Sequence, residues 1–371
     1  MKWYDERINK TVTRGGEFML GTSVFLGEEI HEAHKKRLEA MKKSGFTGVF
    51  SSLHIPEDES VHYLKRLKTL GKWATELKME VMVDVSGSAL KNIGLSFDRP
   101  QEILATGITG LRIDYGISKE VIIKLSHVMK LSLNASTLTQ EDITELKDGG
   151  ANFNHLEAWH NYYPRPETGL DKERFTRKNQ WLKQLGFRVV AFVPGDEELR
   201  GPLYKGLPSL EKQRYTHPLA ATIELYTDCL VDDVYIGDPG LKEKTRKQFQ
   251  AYIDEKKLLL YAEQQHQSVY ASLVVGIHHN RWDAARDVIR SANARFGEVE
   301  DIIPELTLSR KKGSITIDNQ HYGRYMGETQ ICLSELPANE KINVVAQVSQ
   351  EDCSLLDWCK PGQLFEIILT K

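Results

Sequence analysis

The chain has 371 residues, a formal net charge of −3 and 40% hydrophobic residues. That length fits two or three domains, with enough apolar sequence for a substantial core. The near-neutral charge excludes a global bias toward nucleic acid or anionic membranes, but not a local basic pocket.

Residues 1–17 are charged and read as an N-terminal extension. They lack the apolar core of a signal peptide, and the chain holds no run of about 18 apolar residues. A cytoplasmic protein without a membrane partner is expected. Eight short apolar runs follow: Phe18–Leu26, Thr47–Leu53, Glu80–Ser86, Gly110–Gly116, Lys130–Ser136, Ala151–Trp159, Arg188–Gly195 and Val231–Asp238. A helical pattern follows each run. Glu28–Ser44 carries Ile30, Ala33, Leu38 and Met41 and stops at Gly45, and Asp171–Leu185 stops at Gly186. Thr168 and Asp171 form a candidate capping pair, and Leu241–Lys257 reads as the exposed last helix. Eight βα units predict a (β/α)8 TIM barrel over residues 18–258, with its chemistry at the C-terminal strand ends.

Two long loops fall on that face, 160–170 after strand six and 195–216 after strand seven, the latter about 22 residues long. The pattern then changes. Ser268–Ile277 is β-rich, Asp283–Ala294 looks helical, and Ser314–Asp318, Thr329–Leu333, Ile342–Ser349 and Leu364–Leu369 are short strands. Residues 259–371 therefore read as a small β-barrel or sandwich domain with one helix. Cys229, Cys332, Cys353 and Cys359 form no CxxC pair and neighbour no histidine cluster, so reduced thiols are expected.

Strand alternation selects the candidate site residues. With Val81, Val83, Leu111 and Ile113 facing the helices, Asp84, Ser86, Arg112 and Asp114 face the lumen, as do Ser132, Asn134 and Ser136. Adjacent strands three, four and five thus each bring one polar residue to the mouth: Asp84, Asp114 and Asn134. Strands lie about 4.8 Å apart, so Asp84 and Asp114 are candidates for the roughly 5–5.5 Å carboxyl separation of retaining glycosidases. Alternatively, Asp84 pairs with Arg112 as a structural ion pair. Glu157 and Asp238 are competing carboxylates, and Asp232 and Asp233 begin strand eight at the opposite end.

The loop from Trp159 to Leu170 concentrates aromatic, hydrogen-bonding and cationic groups. His160, Asn161 and Tyr163 suit hydroxyls or an acetamido group, and Arg165 suits a phosphate or carboxylate. No lysine ends a strand facing inward, and no HxH, HExxH, GxGxxG, P-loop or GxSxG pattern occurs where its chemistry would need it. No metal or other cofactor is expected.

Several segments together carry a family resemblance. They are Leu20-Gly21-Thr22-Ser23, Val83-Asp84-Val85, Gly110-Leu111-Arg112-Ile113-Asp114, Leu133-Asn134-Ala135-Ser136, His160-Asn161-Tyr162-Tyr163-Pro164, Asp232-Asp233-Val234-Tyr235-Ile236-Gly237 and Tyr322-Gly323-Arg324-Tyr325-Met326-Gly327-Glu328. Over about residues 18–371 the chain resembles the 6-phospho-N-acetylmuramidase family (glycoside hydrolase family 170). It departs from the pattern at Trp159, at Tyr162, where Phe is usual, and at Phe25-Leu26, where Tyr-Pro is usual. The resemblance implies a TIM barrel followed by a cyclophilin-like domain. It also implies an intracellular hydrolase of cell-wall recycling that cleaves a disaccharide of 6-phospho-N-acetylmuramic acid and N-acetylglucosamine.

The combined reading makes Asp114 and Asp84 the expected catalytic pair, with Asp114 protonating the leaving oxygen. Ser23, Asn134, His160, Asn161, Tyr163 and Arg165 are the expected substrate-binding residues. Arg290, in the second domain's helix, is a candidate to reach over the barrel mouth. A homo-oligomer is compatible with the sequence. The alternatives are another sugar-phosphate enzyme on the barrel, such as an isomerase or epimerase, and a non-catalytic muramyl-phosphate-binding protein.

Overall fold

The computed structural model describes residues 18–53, 60–86, 89–265, 268–293 and 301–370. The 1–17 extension lies outside the described residues. The chain forms two compact units, Met1–Lys242 and Glu243–Lys371.

In the first unit eight parallel strands close into a barrel in sequence order. They are β1 (Leu20–Ser23), β2 (Gly48–Ser52), β3 (Glu80–Val85), β4 (Gly110–Ile113), β5 (Lys130–Asn134), β6 (Leu156–Trp159), β7 (Arg188–Val193) and β8 (Asp233–Ile236). All eight lie inside the expected runs, which were too wide mainly because loop residues at the mouth share their polarity. The expected sixth run opens with a 3-10 turn, Phe153–His155, before β6. The helix expected over 28–44 forms as Glu32–Lys43. That expected over 171–185 forms as Lys172–Gln184, capped by Asp171 Oδ1, which accepts from the Arg174 amide at 3.0 Å. Thr168 is not part of that cap, because its hydroxyl donates to the Arg165 carbonyl.

Alternation does the sorting. Val81, Val83 and Leu111 are fully buried toward the helices, while Asp84 and Arg112 are buried on the lumen side. Below them the lumen is filled by Phe50, Met82, Trp159, Val190, Phe192 and Tyr235. Gly21 and Gly48 make this packing possible, since an added Cβ would stand 2.0 Å from Tyr235 Cε1 at Gly21 and 2.3 Å from the Tyr235 hydroxyl at Gly48.

The second unit is a seven-stranded sheet. Its strands are β9 (Leu258–Gln264), β10 (Gly276–His279), β11 (Val288–Arg290), β12 (Ser314–Asp318), β13 (Thr329–Cys332), β14 (Ile342–Val348) and β15 (Leu364–Thr370), in the order β10-β15-β9-β14-β12-β13-β11. A bridge between Asn280 and Ser291 links the two edges, so the sheet is nearly closed.

Two expectations are corrected here. The region expected to be β-rich, 268–277, is largely a turn containing the 3-10 segment Ala271–Val274, with strands on either side. The expected helix over 283–294 does not form in its described part, where Val288–Arg290 pairs antiparallel with β13. Its alanines and charges favour helix locally, but the exposed edge of β13 needs a partner, and tertiary pairing outweighs that weak preference. Arg290 therefore sits on a strand. By compactness the helix Glu243–Glu255 groups with the second unit, where Gln248 Nε2 donates to the Leu259 carbonyl and to Asp352 Oδ2, each at 3.0 Å.

Candidate active site

The C-terminal end of the barrel opens into a cleft of about 360 Å³ lined by Phe50, Asp84, Arg112, Asp114, Asn161, Tyr162 and Arg200, among others. Its floor is an ion pair. Arg112 Nη1 donates to Asp84 Oδ1 at 2.7 Å, and both side chains are almost wholly buried. The arginine's Nη2 donates to Asn161 Oδ1, which ties the loop after β6 to the floor. Its Nε is buried with no partner among the described residues.

Strand register sets the neighbours. Asp84 pairs across the ladder with Arg112, Arg112 with Ser132, and Ser132 with Glu157. Asp114 comes two residues after Arg112, one pleat farther toward the C-terminal end of that ladder. One strand spacing across and one pleat along put the Asp84 and Asp114 Cα atoms roughly 8 Å apart. Asp114 is held by its amide, which donates to the Val85 carbonyl at 3.1 Å. Its half-buried carboxyl has no hydrogen-bond or ion-pair partner among the described residues.

The two long loops form the cleft's rim and are tied to each other. Glu211 accepts from the amides of Glu167 (2.8 Å) and Gly169 (2.7 Å) and pairs with Arg214. The Arg214 guanidinium holds the Glu211 carboxyl down at about 2. Asp238 is fully buried and accepts from three amides of the second loop, those of Gly195 (2.9 Å), Arg200 (3.0 Å) and Leu207 (3.0 Å). Burial pushes its carboxyl up, and these amides oppose the shift. Asp238 thus positions the loop from beneath. Glu157 accepts from Trp159 Nε1 at 2.8 Å inside the barrel, where burial raises its pKa.

The remaining expected site residues disperse. Asn161 lines the cleft. Ser23 is buried at the end of β1, donates to the Ile236 carbonyl at 2.7 Å, and lines an adjoining cavity of about 440 Å³. His160 is buried behind the rim, its ring tilted against Phe175 with centroids 4.2 Å apart, and with Nε2 2.6 Å from Asn179 Oδ1. Burial pushes its pKa down to about 4, so it is neutral at pH 7. Asn134 accepts from the Ser136 amide at 3.0 Å and shapes the turn after β5. Tyr163 is held by its backbone, its amide donating to the Pro208 carbonyl at 2.9 Å. Arg165 is exposed and lines neither cavity. Arg290 pairs with Glu328 at 2.7 Å within the second unit.

Sequence reading missed Arg200 and Tyr162. Arg200 lines both cavities, stacks 3.7 Å from the Phe25 ring centroid, and donates from Nη1 to the Tyr162 hydroxyl at 2.6 Å. The only sequence signal for Arg200 was its place in a long loop on the mouth side. Among the described residues, no three His, Cys, Asp or Glu side chains converge as a metal site requires. Among them also, no helix is long and apolar enough to cross a membrane.

A solved structure of a conserved Enterococcus faecalis protein of unknown function is 47% identical, with a TM-score of 0.87 over 95% of this chain and 96% of that one. An uncharacterised B. cereus protein is 25% identical, with a TM-score of 0.71 over 95% of this chain and all of that one. None of the curated proteins matches. A family model described as 6-phospho-N-acetylmuramidase, N-terminal, matches residues 20–251, and its C-terminal counterpart matches 257–368. Together they span nearly the whole chain, which belongs to the 6-phospho-N-acetylmuramidase family of glycosidases.

Proposed function

We propose that the cleft binds a disaccharide of 6-phospho-N-acetylmuramic acid and N-acetylglucosamine and hydrolyses its glycosidic bond, with Asp114 as the general acid. One observation carries this reading: an uncommitted carboxyl, Asp114, two residues beyond the ladder partner of Asp84, lies nearer the mouth than that fixed carboxyl in the same cleft. The upper carboxyl suits protonation of the leaving oxygen. The lower one, held by Arg112, suits the face of the sugar where positive charge develops. There Asp84 serves as nucleophile, as base toward water, or as the group that orients the substrate's acetamido oxygen.

Asn161 faces the same space and is suited to hydroxyl or acetamido recognition, with Arg112 fixing its orientation. The resemblance read from the sequence supports a place in peptidoglycan recycling in the cytoplasm, and a cyclophilin-like second domain.

The test is release of N-acetylglucosamine from phosphorylated and unphosphorylated muramyl disaccharides. The phosphorylated one is expected to be cleaved strongly in preference, and equal cleavage would remove the phosphate from the proposal. Asp114→Asn is expected to lower kcat by about 10³-fold or more with an unchanged unfolding transition, the order of loss seen when a key proton donor is removed. Near-native turnover in that variant would exclude Asp114 from the chemistry.

A further inference from the structure

A phosphorylated muramyl sugar carries two anionic groups, the 6-phosphate and the lactyl carboxylate, and the cleft must neutralise at least one. Several arginines of the barrel are already committed. Arg37 pairs with Glu198, Arg112 with Asp84, Arg188 with Asp233 and Arg214 with Glu211. Arg200 differs. Among the described residues it has no carboxylate within ion-pair distance, although it is half-buried and lines both cavities. Asp238, the acid that feels its charge, is taken up by three backbone amides.

We propose that Arg200 is the anion anchor of the cleft, the residue that gives it preference for a substrate bearing an anionic substituent. This rests on reading the cleft as a muramyl-phosphate glycosidase site. The guanidinium is held in a fixed plane before any ligand arrives. Phe25 covers one face, the Tyr162 hydroxyl takes one N–H, and the residue's own amide is fastened to Asp238. A guanidinium carries five N–H donors, and a planar fork matches two oxygens of a phosphate or carboxylate. Because the side chain is ordered in advance, little of the binding energy is lost to ordering it. The cation also stands where the two cavities meet, so an anion bound there lies beside the sugar over Asp84 and Asp114 without contacting the reacting bond.

The test compares Arg200→Gln and Arg200→Lys with the unmodified full-length protein. Three disaccharides are used: one with both the phosphate and the lactyl group, one without the phosphate and one without the lactyl group. Arg200→Gln is expected to lower kcat/KM for the doubly anionic substrate by about 10- to 100-fold, the range for a lost charge-assisted hydrogen bond. The loss should vanish, to within about threefold, on whichever substrate lacks the recognised anion, which identifies phosphate or carboxylate as the source. Arg200→Lys should recover part of the discrimination, since it keeps the charge and loses the fork. Equal losses on all three substrates would mean that Arg200 only packs the loop, and would overturn the proposal.

A second readout needs no turnover. Calorimetric titration with 6-phospho-N-acetylmuramic acid and with N-acetylmuramic acid should show Arg200→Gln losing affinity for the anion it reads, by the same factor. If no disaccharide is cleaved but this loss is seen, the anchor stands and the glycosidase reading fails. If cleavage proceeds and Arg200→Gln discriminates normally, the anchor fails and the glycosidase reading stands.

Discussion

Each end of the barrel contains an arginine–aspartate pair, and the two pairs have different consequences. At the closed end Arg188, first residue of β7, donates to Asp233, first residue of β8, with Nε 2.9 Å from Oδ2. Asp233 also accepts from the Met19 amide at 2.7 Å, which fastens the entry to β1. Its side chain is completely buried, but the Arg188 side chain keeps 38% of its surface in water. At the open end Arg112 and Asp84 retain only 4% and 8%. There the arginine also bonds Asn161 and faces a cleft. The closed-end pair fastens strands together. The open-end pair adds what a site requires: a fixed carboxylate beside space for a ligand and beside a second, uncommitted carboxyl.

That contrast gives the largest expected effect. Asp84→Asn should destabilise the protein by up to about 3–5 kcal/mol, because it strands a fully buried guanidinium. It should also abolish measurable turnover by the molecules that remain folded. Asp233→Asn should cost less stability, about 1–3 kcal/mol, since Arg188 can turn to water. Its turnover per folded molecule should stay within about twofold. Denaturant melts paired with kcat on the folded fraction separate the two outcomes. Retained turnover in Asp84→Asn would make the two pairs equivalent and reduce the upper one to a fastener.

A smaller effect concerns the rim. His160 is buried and neutral, with its pKa held near 4 first by burial and then by the positive charges of Lys178 and Arg112. In the unfolded chain the imidazole titrates near 6.5, so between about pH 6.5 and 4 the unfolded state binds the extra proton. Folding stability should therefore fall as pH drops through that window, by about 3 kcal/mol in total for this group. Between pH 7 and 8 it should contribute no slope. In His160→Gln the part of the slope due to this residue should disappear. An unchanged pH dependence of unfolding in that variant would show that His160 is not the group titrating.

What was legible in the sequence follows from local periodicity. Eight apolar runs placed eight strands, and alternation in Val81–Val85 and Leu111–Ile113 turned Asp84 and Arg112 inward, because a strand's two faces are fixed by its period of two. The register that pairs Asp84 with Arg112 was not legible. It depends on the stagger between neighbouring strands, a property of barrel closure rather than of either strand alone. Arg200 was hidden for a related reason. Its loop has no period, and the group that positions it, Asp238, lies 38 residues away at the end of β8. The helix expected around Arg290 failed because sheet pairing outweighed local propensity.

The smallest expected effect separates the two arginines of the rim. Arg165 has the composition of an anion-binding residue in the most distinctive loop, yet it is exposed and lines neither cavity. An exposed side chain with no buried partner contributes within about 0.5 kcal/mol, so Arg165→Gln should change stability and kcat/KM by no more than about twofold. Arg200→Gln, by contrast, removes a cation already stacked and hydrogen-bonded inside the cleft. The informative quantity is the ratio of kcat/KM for phosphorylated over unphosphorylated disaccharide, measured in both variants side by side. If phosphate is the anion read, it should fall only in Arg200→Gln; if the carboxylate is, the corresponding ratio with and without the lactyl group should fall there instead. A tenfold fall in Arg165→Gln instead would mean that the loop closes over the substrate and brings its own cation in.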